Sequence, residues 1–241
     1  AFIGGGAALA AGLAGLAYVG RDTLLRVGVN TAVGERRTVT LPDGSSVELN
    51  TDTRLAWRFD GKARKLWLDR GEAALTIAVD DTRPFLLMAA QAVTHLTSGQ
   101  FNARLRSGAL DLIVLAGRAA VRTAAGAAQA EVSAPGDPRR VLEIGPSRIA
   151  GAPLAEAQAQ NVQAWRRGEI VFDGQPLSAA VEEYNRYLTK KIVIGDPSVG
   201  ALRLGGRFLT GDPESFLTAL KYSFGLRIID DEQSRILLKT T

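Results

Sequence analysis

From residue 27 to about residue 144, apolar and polar positions alternate with period 2, the mark of strands that bury one face. The pattern is clearest at 41–50, LPDGSSVELN, where Val39 and Leu41 precede the pair Asp43-Gly44 and Val47 and Leu49 follow it. That pair supplies the positive φ angles of a tight hairpin turn. In the next run Leu55, Trp57 and Phe59 share one face, and Arg54, Ala56 and Arg58 the other. Turn signals recur at Asp60-Gly61, Arg70-Gly71, Ser107-Gly108, Ala116-Gly117, Ala125-Gly126 and Pro135-Gly136. They divide the stretch into many short antiparallel strands and predict a mainly β domain over 27–150, a sandwich, barrel or solenoid-like fold. The runs ALDLIVLAG (109–117) and PFLLMAA (84–90) are apolar on both faces and read as central strands, with Pro84 at a strand's first position.

The pattern then changes. Residues 145–153 form a Pro/Gly/Ser-containing joint, and 151–168 a helical linker, Ala/Gln-rich as far as Trp165. A small α+β domain is predicted over 169–241, with elements in the order βαβ-βαββ. Its first strand is 169–172. Pro176 then suits a first helical position, and Leu177, Ala180, Val181, Tyr184 and Leu188 recur at helical spacing. Strands follow at 191–194 and 201–209. Asp212-Pro213-Glu214 starts a second helix, which carries Phe216, Leu217, Leu220 and Phe224 and stops at Gly225. Strands 226–229 and 235–239 close the chain, and the expected packing is two helices on one sheet. At the other end, residues 1–20 carry no charge and are long enough to span a bilayer. Small residues four apart, Ala11 with Gly15 and Ala10 with Ala14, allow close helix packing in lipid. We expect an N-terminal transmembrane helix rather than the apolar core of a signal peptide, since no basic region and no initiator Met precede it. The chain then reads as a fragment that starts inside a larger protein.

A length of 241 residues allows one large or two modest domains, and 46% hydrophobic residues suffice for a core. The 29 basic and 25 acidic residues leave a net charge of +4. The arginines stand singly along strands, so no concentrated face for nucleic acid is expected. The absence of cysteine excludes disulfides, thiolate catalysis and cysteine metal sites. His95, the only histidine, would need carboxylates alone to complete a zinc site, and its run AVTHLT places no acid beside it for a serine triad. Asp43, Asp60, Asp69, Asp80, Asp81 and Asp137 sit beside turns, which explains them without a glycosidase pair. GGG at 4–6 and GGR at 205–207 are not placed between a strand and a helix as a phosphate loop requires. Trp57, Trp67 and Trp165 are read as core. We expect no enzyme, no metal and no cofactor.

Four stretches, in this order and spacing, resemble the FecR-type transmembrane regulators of cell-surface signalling: TLPDGSSVELNTDTRL, RKLWLDRGEAALTI, RPFLLMAAQAVTHLTSGQF and WRRGEIVFDGQPLSAAVEEYNRY. The resemblance runs from Val27 over nearly the whole chain, and the terminal domain looks like the short N-terminal module of secretins and TonB-dependent receptors. It implies a cytoplasmic anti-sigma domain absent here, a single pass through the inner membrane, and a periplasmic region after about residue 20. The implied partners are the N-terminal signalling domain of a TonB-dependent outer-membrane receptor, loaded with a ferric siderophore or similar substrate, envelope proteases, and an extracytoplasmic-function sigma factor. Many relatives carry Gly-Thr before x-Phe, and some cleave themselves at that bond. Here the residues are Ser98-Gly99-Gln100-Phe101. The attacking hydroxyl after glycine is missing, which argues against self-cleavage there, although Thr97-Ser98 keeps a hydroxyl nearby.

For the receptor contact we expect the run ALRLGGRFL (201–209), with Leu202, Arg203, Leu204, Arg207 and Phe208, to offer a strand edge to its partner. The competing reading makes Leu202, Leu204 and Phe208 simply core. Two other functions fit the pattern less well. One is an envelope scaffold or secretion-system component that uses the same terminal module. The other is a carbohydrate-active or carbohydrate-binding β domain, which would need converging acids and aromatics.

Overall fold

A computed structural model describes residues 25–123, 126, 128–134 and 140–239. The predicted membrane helix over 1–20 lies outside the described residues. Among those described, no helix is long and apolar enough to cross a membrane.

The first lobe is a β-sandwich made by folding one twelve-stranded sheet on itself. One layer holds β1 (Val27–Asn30), β4 (Arg54–Phe59), the start of β5 (Arg64–Ile77), β6 (Phe85–Ala89), β7 (Ala92–Leu96), the end of β9 (Ala109–Thr123) and β10 (Gln129–Ala134). The other holds β2 (Arg37–Thr40), β3 (Ser46–Leu49), the end of β5, β8 (Gly99–Arg106), the start of β9, β11 (Arg140–Ile144) and β12 (Ile149–Pro153). Leu66, Leu87 and Val121 from the first layer and Leu49, Leu75, Phe101 and Leu112 from the second meet in a single buried core. The uncovered face of the second layer is where the rest of the chain docks.

Three expectations are corrected. Arg70-Gly71 and Ala116-Gly117 are not turns between short strands; they are bends inside β5 and β9, which run 14 and 15 residues. Gly71 (φ +88°) and Gly117 (φ +92°) adopt conformations closed to most side chains, so each strand turns the corner from one layer to the other. Not every pair is antiparallel, since β5 and β6 run parallel. Asp43-Gly44 does not form a two-residue turn either. β2 and β3 close at Thr40 and Ser46, leaving a five-residue loop in which only Gly44 (φ +85°) is left-handed. Asp43 serves instead as a hydrogen-bond acceptor for Ser45.

Past β12 the chain forms helix α1 (Glu156–Val162) and a 3-10 turn, Ala164–Arg167. The second lobe contains β13 (Glu169–Pro176), α2 (Leu177–Asn185), β14 (Lys191–Ile194), the short α3 (Pro197–Gly200), β15 (Arg203–Leu209), α4 (Pro213–Phe224), β16 (Leu226–Asp230) and β17 (Ser234–Lys239). The expected single sheet is in fact two. β13 pairs antiparallel with β15, while β14, β17 and β16 form a separate three-stranded sheet. Both long helices serve both sheets: Tyr184 of α2 stacks on Phe216 of α4 at 4.1 Å, and Phe172 and Leu204 from one sheet share that core with Ile192 and Leu237 from the other. Periodicity marks which face of an element is buried but not which strand it pairs with.

Candidate functional site: the joint between the lobes and the terminal edge strand

Outward-facing residues of the second layer line up across the strands in two rows. Glu48, Ala74, Asn102, Ile113 and Val141 lie side by side in one, and Glu72, Arg104, Asp111 and Glu143 in the next. Glu72 is the hub. It is 3% exposed, although its position on an outer strand face would leave it in water in an isolated sandwich. Its Oε2 accepts from Asn50 Nδ2 (3.0 Å) and Arg186 Nη2 (2.8 Å), and its Oε1 from Asn102 Nδ2 (3.0 Å). Asn50 and Asn102 belong to the first lobe, whereas Arg186 follows α2 in the second.

The same residues extend the contact. Asn50 Nδ2 also donates to the Tyr187 hydroxyl (2.8 Å), and Asn102 Oδ1 accepts from Trp165 Nε1 (3.3 Å). Arg104 reaches Glu183 at 2.6 Å, and Arg186 holds the other oxygen of that carboxylate at 2.6 Å. Thr51 Oγ1 donates to the Arg186 carbonyl (3.0 Å). At the near edge Arg36 donates to the carbonyls of Trp165 and Arg166, and Arg166 pairs with Glu48. Burial pushes the Tyr187 phenol up to about 12, so it stays a neutral hydrogen-bonding group. Burial by itself would raise the Glu183 carboxyl, but Arg186 and Arg104 outweigh it and hold Glu183 below the usual carboxylate range.

Beside this network lies a cleft of about 380 Å³, roofed by α1 and β13 and floored by Arg104, Asp111, Ile113 and Val141. Burial raises the Asp111 carboxyl despite the facing Arg106 and Arg104. Among the described residues no cluster of three or more His, Asp or Glu is arranged to hold a metal ion. His95 is exposed on β7. Asp43 and Asp80 both sit against the buried Arg64, at 2.8 and 3.8 Å, as structural ion pairs.

The five residues named from sequence fall on or beside β15. Leu204 is buried, and Leu202 and Phe208 pack against the second core. Arg203 and Arg207 are exposed; Arg203 donates to the Gly174 carbonyl, and Arg207 pairs with Glu169 at 2.5 Å. Among the described residues β15 has β13 as its one strand neighbour. Near the departure from the Gly-Thr pattern, Gly99 (φ +154°) lies so close to the Ala116 carbonyl that a Cβ would stand 2.2 Å from its oxygen. Thr97 Oγ1 donates to the Ser98 carbonyl and accepts from the Arg118 amide. Sequence reasoning missed the joint altogether. Glu72, Asn50 and Asn102 occupy polar positions of alternating strands, where burial by a second lobe and simple solvation leave the same pattern.

The comparisons with known proteins agree with this architecture. Residues 28–120 match the model of the FecR protein family. None of the curated proteins matches the sequence. Two crystal structures of a candidate anti-sigma factor from Parabacteroides distasonis ATCC 8503 share the fold, each with a TM-score of 0.72. One is 26% identical, with 90% of this chain and 100% of that chain covered. The other is 25% identical, with 89% and 100% covered. Across residues 28–120 of the first lobe, the chain is thus similar to the FecR protein family.

Proposed function

We propose that this chain is the sensing part of a regulator of the anti-sigma type, which acts by presenting a folded surface to other proteins and not by catalysis. The observation that carries this reading is the FecR match over 28–120, together with the resemblance of nearly the whole described chain to candidate anti-sigma factors of known structure. In this reading the input is the N-terminal signalling domain of a TonB-dependent outer-membrane receptor, docked on the second lobe. Residues 1–20 cross the inner membrane, and regulated proteolysis passes the signal to an extracytoplasmic-function sigma factor. The contact is assigned to β15, which has a strand neighbour on one side and carries Arg203 and Arg207 at its surface. Strand addition supplies main-chain hydrogen bonds, and the two arginines favour an acidic partner. With Leu202, Leu204 and Phe208 committed to the core, their part is to hold the strand in place.

The test is a pull-down of residues 27–241 against the receptor signalling modules of the same organism. One module is expected to bind, and the Arg203→Glu/Arg207→Glu double variant to bind at least tenfold more weakly at low salt. A folded chain that captures none of them would sink the reading.

A further inference from the structure

We infer that the two lobes form a latched pair that can separate at the joint, and that Glu72 is the residue that holds them shut. Three observations lead there. The lobes have separate cores: the first is drawn wholly from residues 41–144, and Ala74 is the sole first-lobe member of the second. Apart from Ala74, what joins them is polar, a set of ion pairs and hydrogen bonds running from Glu72, Asn50, Asn102, Arg104 and Glu48 to Arg186, Tyr187, Trp165, Glu183 and Arg166. And the contact converges on one carboxylate, which receives three donors, two of its own lobe and one of the other.

The energetics of such a joint differ from those of an apolar interface. Desolvating charges cancels most of what their pairing contributes, so the closed state gains orientation more than stability. Loss of a single partner is nevertheless severe, because it leaves a buried charge uncompensated. An interface of this composition resembles transient contacts between domains and separates without unfolding either side. Opening the latch uncovers Trp165, Tyr187 and the 3-10 turn that carries Arg166 and Arg167. That turn is held down by Arg36 on the Trp165 and Arg166 carbonyls and by the Arg166–Glu48 pair. This inference needs no partner protein and stands or falls apart from the proposed function.

The test uses the whole chain, with limited trypsin digestion and acrylamide quenching as readouts. Glu72→Gln keeps the shape of the side chain and removes its charge. It is expected to raise the rate of cleavage after Arg166 and Arg167 at least tenfold and to raise quenching of Trp165, with the β circular dichroism signal unchanged. Leu87→Ala, which cuts the first core in the layer that does not face the joint, serves as the comparison and is expected to destabilise without selective cleavage there. Equal cleavage of wild type and Glu72→Gln overturns the latch, as does cleavage of Glu72→Gln spread over both lobes in the Leu87→Ala manner. Should Glu72→Gln fail to fold, Arg186→Met and Tyr187→Phe approach the joint from the other lobe. Selective cleavage at the turn in either one supports the latch, and its absence in both overturns it.

Discussion

Gly71 and Gly117 show how much of this architecture rests on single residues. A Cβ on Gly71 would stand 2.3 Å from Thr53 Oγ1 and 2.6 Å from Thr53 Cα, and one on Gly117 would stand 2.5 Å from the Ser98 carbonyl oxygen. Gly44 has a similar φ but nothing within 4 Å. Gly71→Ala and Gly117→Ala are therefore expected to cost about 3 kcal/mol or more in chemical denaturation, from backbone strain plus collision, against about 1 kcal/mol for Gly44→Ala. Asp43 offers a second test. Burial by itself would raise its carboxyl, but the Ser45 hydroxyl and the Arg64 guanidinium outweigh it and hold Asp43 below its ordinary value of 3.8. A carboxyl depressed in the folded state stabilises above that ordinary value, and the contribution is lost as pH falls through the folded one. The stability gap between wild type and Asp43→Asn is thus expected to be full at neutral pH and to close below pH 3.8 in a series of urea melts.

At the scale of elements, the second lobe treats its strand edges differently. The Asn185 side chain accepts from the Ile192 amide and donates to the Ile192 carbonyl, both at 2.8 Å, so it imitates a neighbouring strand along β14. Edge strands left open invite pairing with other chains. Asn185→Ala is expected to cost about 1–3 kcal/mol through the unpaired backbone groups, and to raise concentration-dependent association in light scattering. Unchanged stability and a monomeric profile would show that water replaces the amide at no cost. The contrast with β15 bears on function. Its register with β13 spans Glu169↔Leu209 to Pro176↔Arg203, its far side has no strand neighbour among the described residues, and Gly205-Gly206 leave it thin in side chains.

For the whole molecule, the joint adds a pH dependence of its own. Glu183 faces Arg104 from β8 and Arg186 from its own side, with Glu72 and Tyr187 beyond, and its carboxyl is held below the ordinary 4.5. Its contribution to stability is present above that value and lost as pH falls through the lowered one, and the share that comes from Arg104 acts across the joint. The radius of gyration from small-angle scattering is expected to stay constant from neutral pH to about 4.5 and to rise below it before the circular dichroism signal is lost. Expansion and loss of secondary structure in a single step would mean that the lobes unfold as one.

Much of the fold was legible because periodicity reports burial directly. The alternation at Val47, Leu49 and Leu55 placed the first core, and Asp212-Pro213 with Gly225 bracketed α4, since caps and turns are local chemistry. The blocks that resemble FecR regulators sat in the same readable runs. Local rules could not tell a glycine that ends a strand from one that bends it, as at Gly71 and Gly117, because both need the same φ. Nor could they assign β13 and β14 to different sheets, a choice made by how the helices between them pack. Alternation and capping thus determined which side chains are buried and where elements begin. Tertiary structure alone decided that Glu72, on the outer face of its strand, is buried against Arg186, because its partner lies 114 residues away and only folding brings the two together.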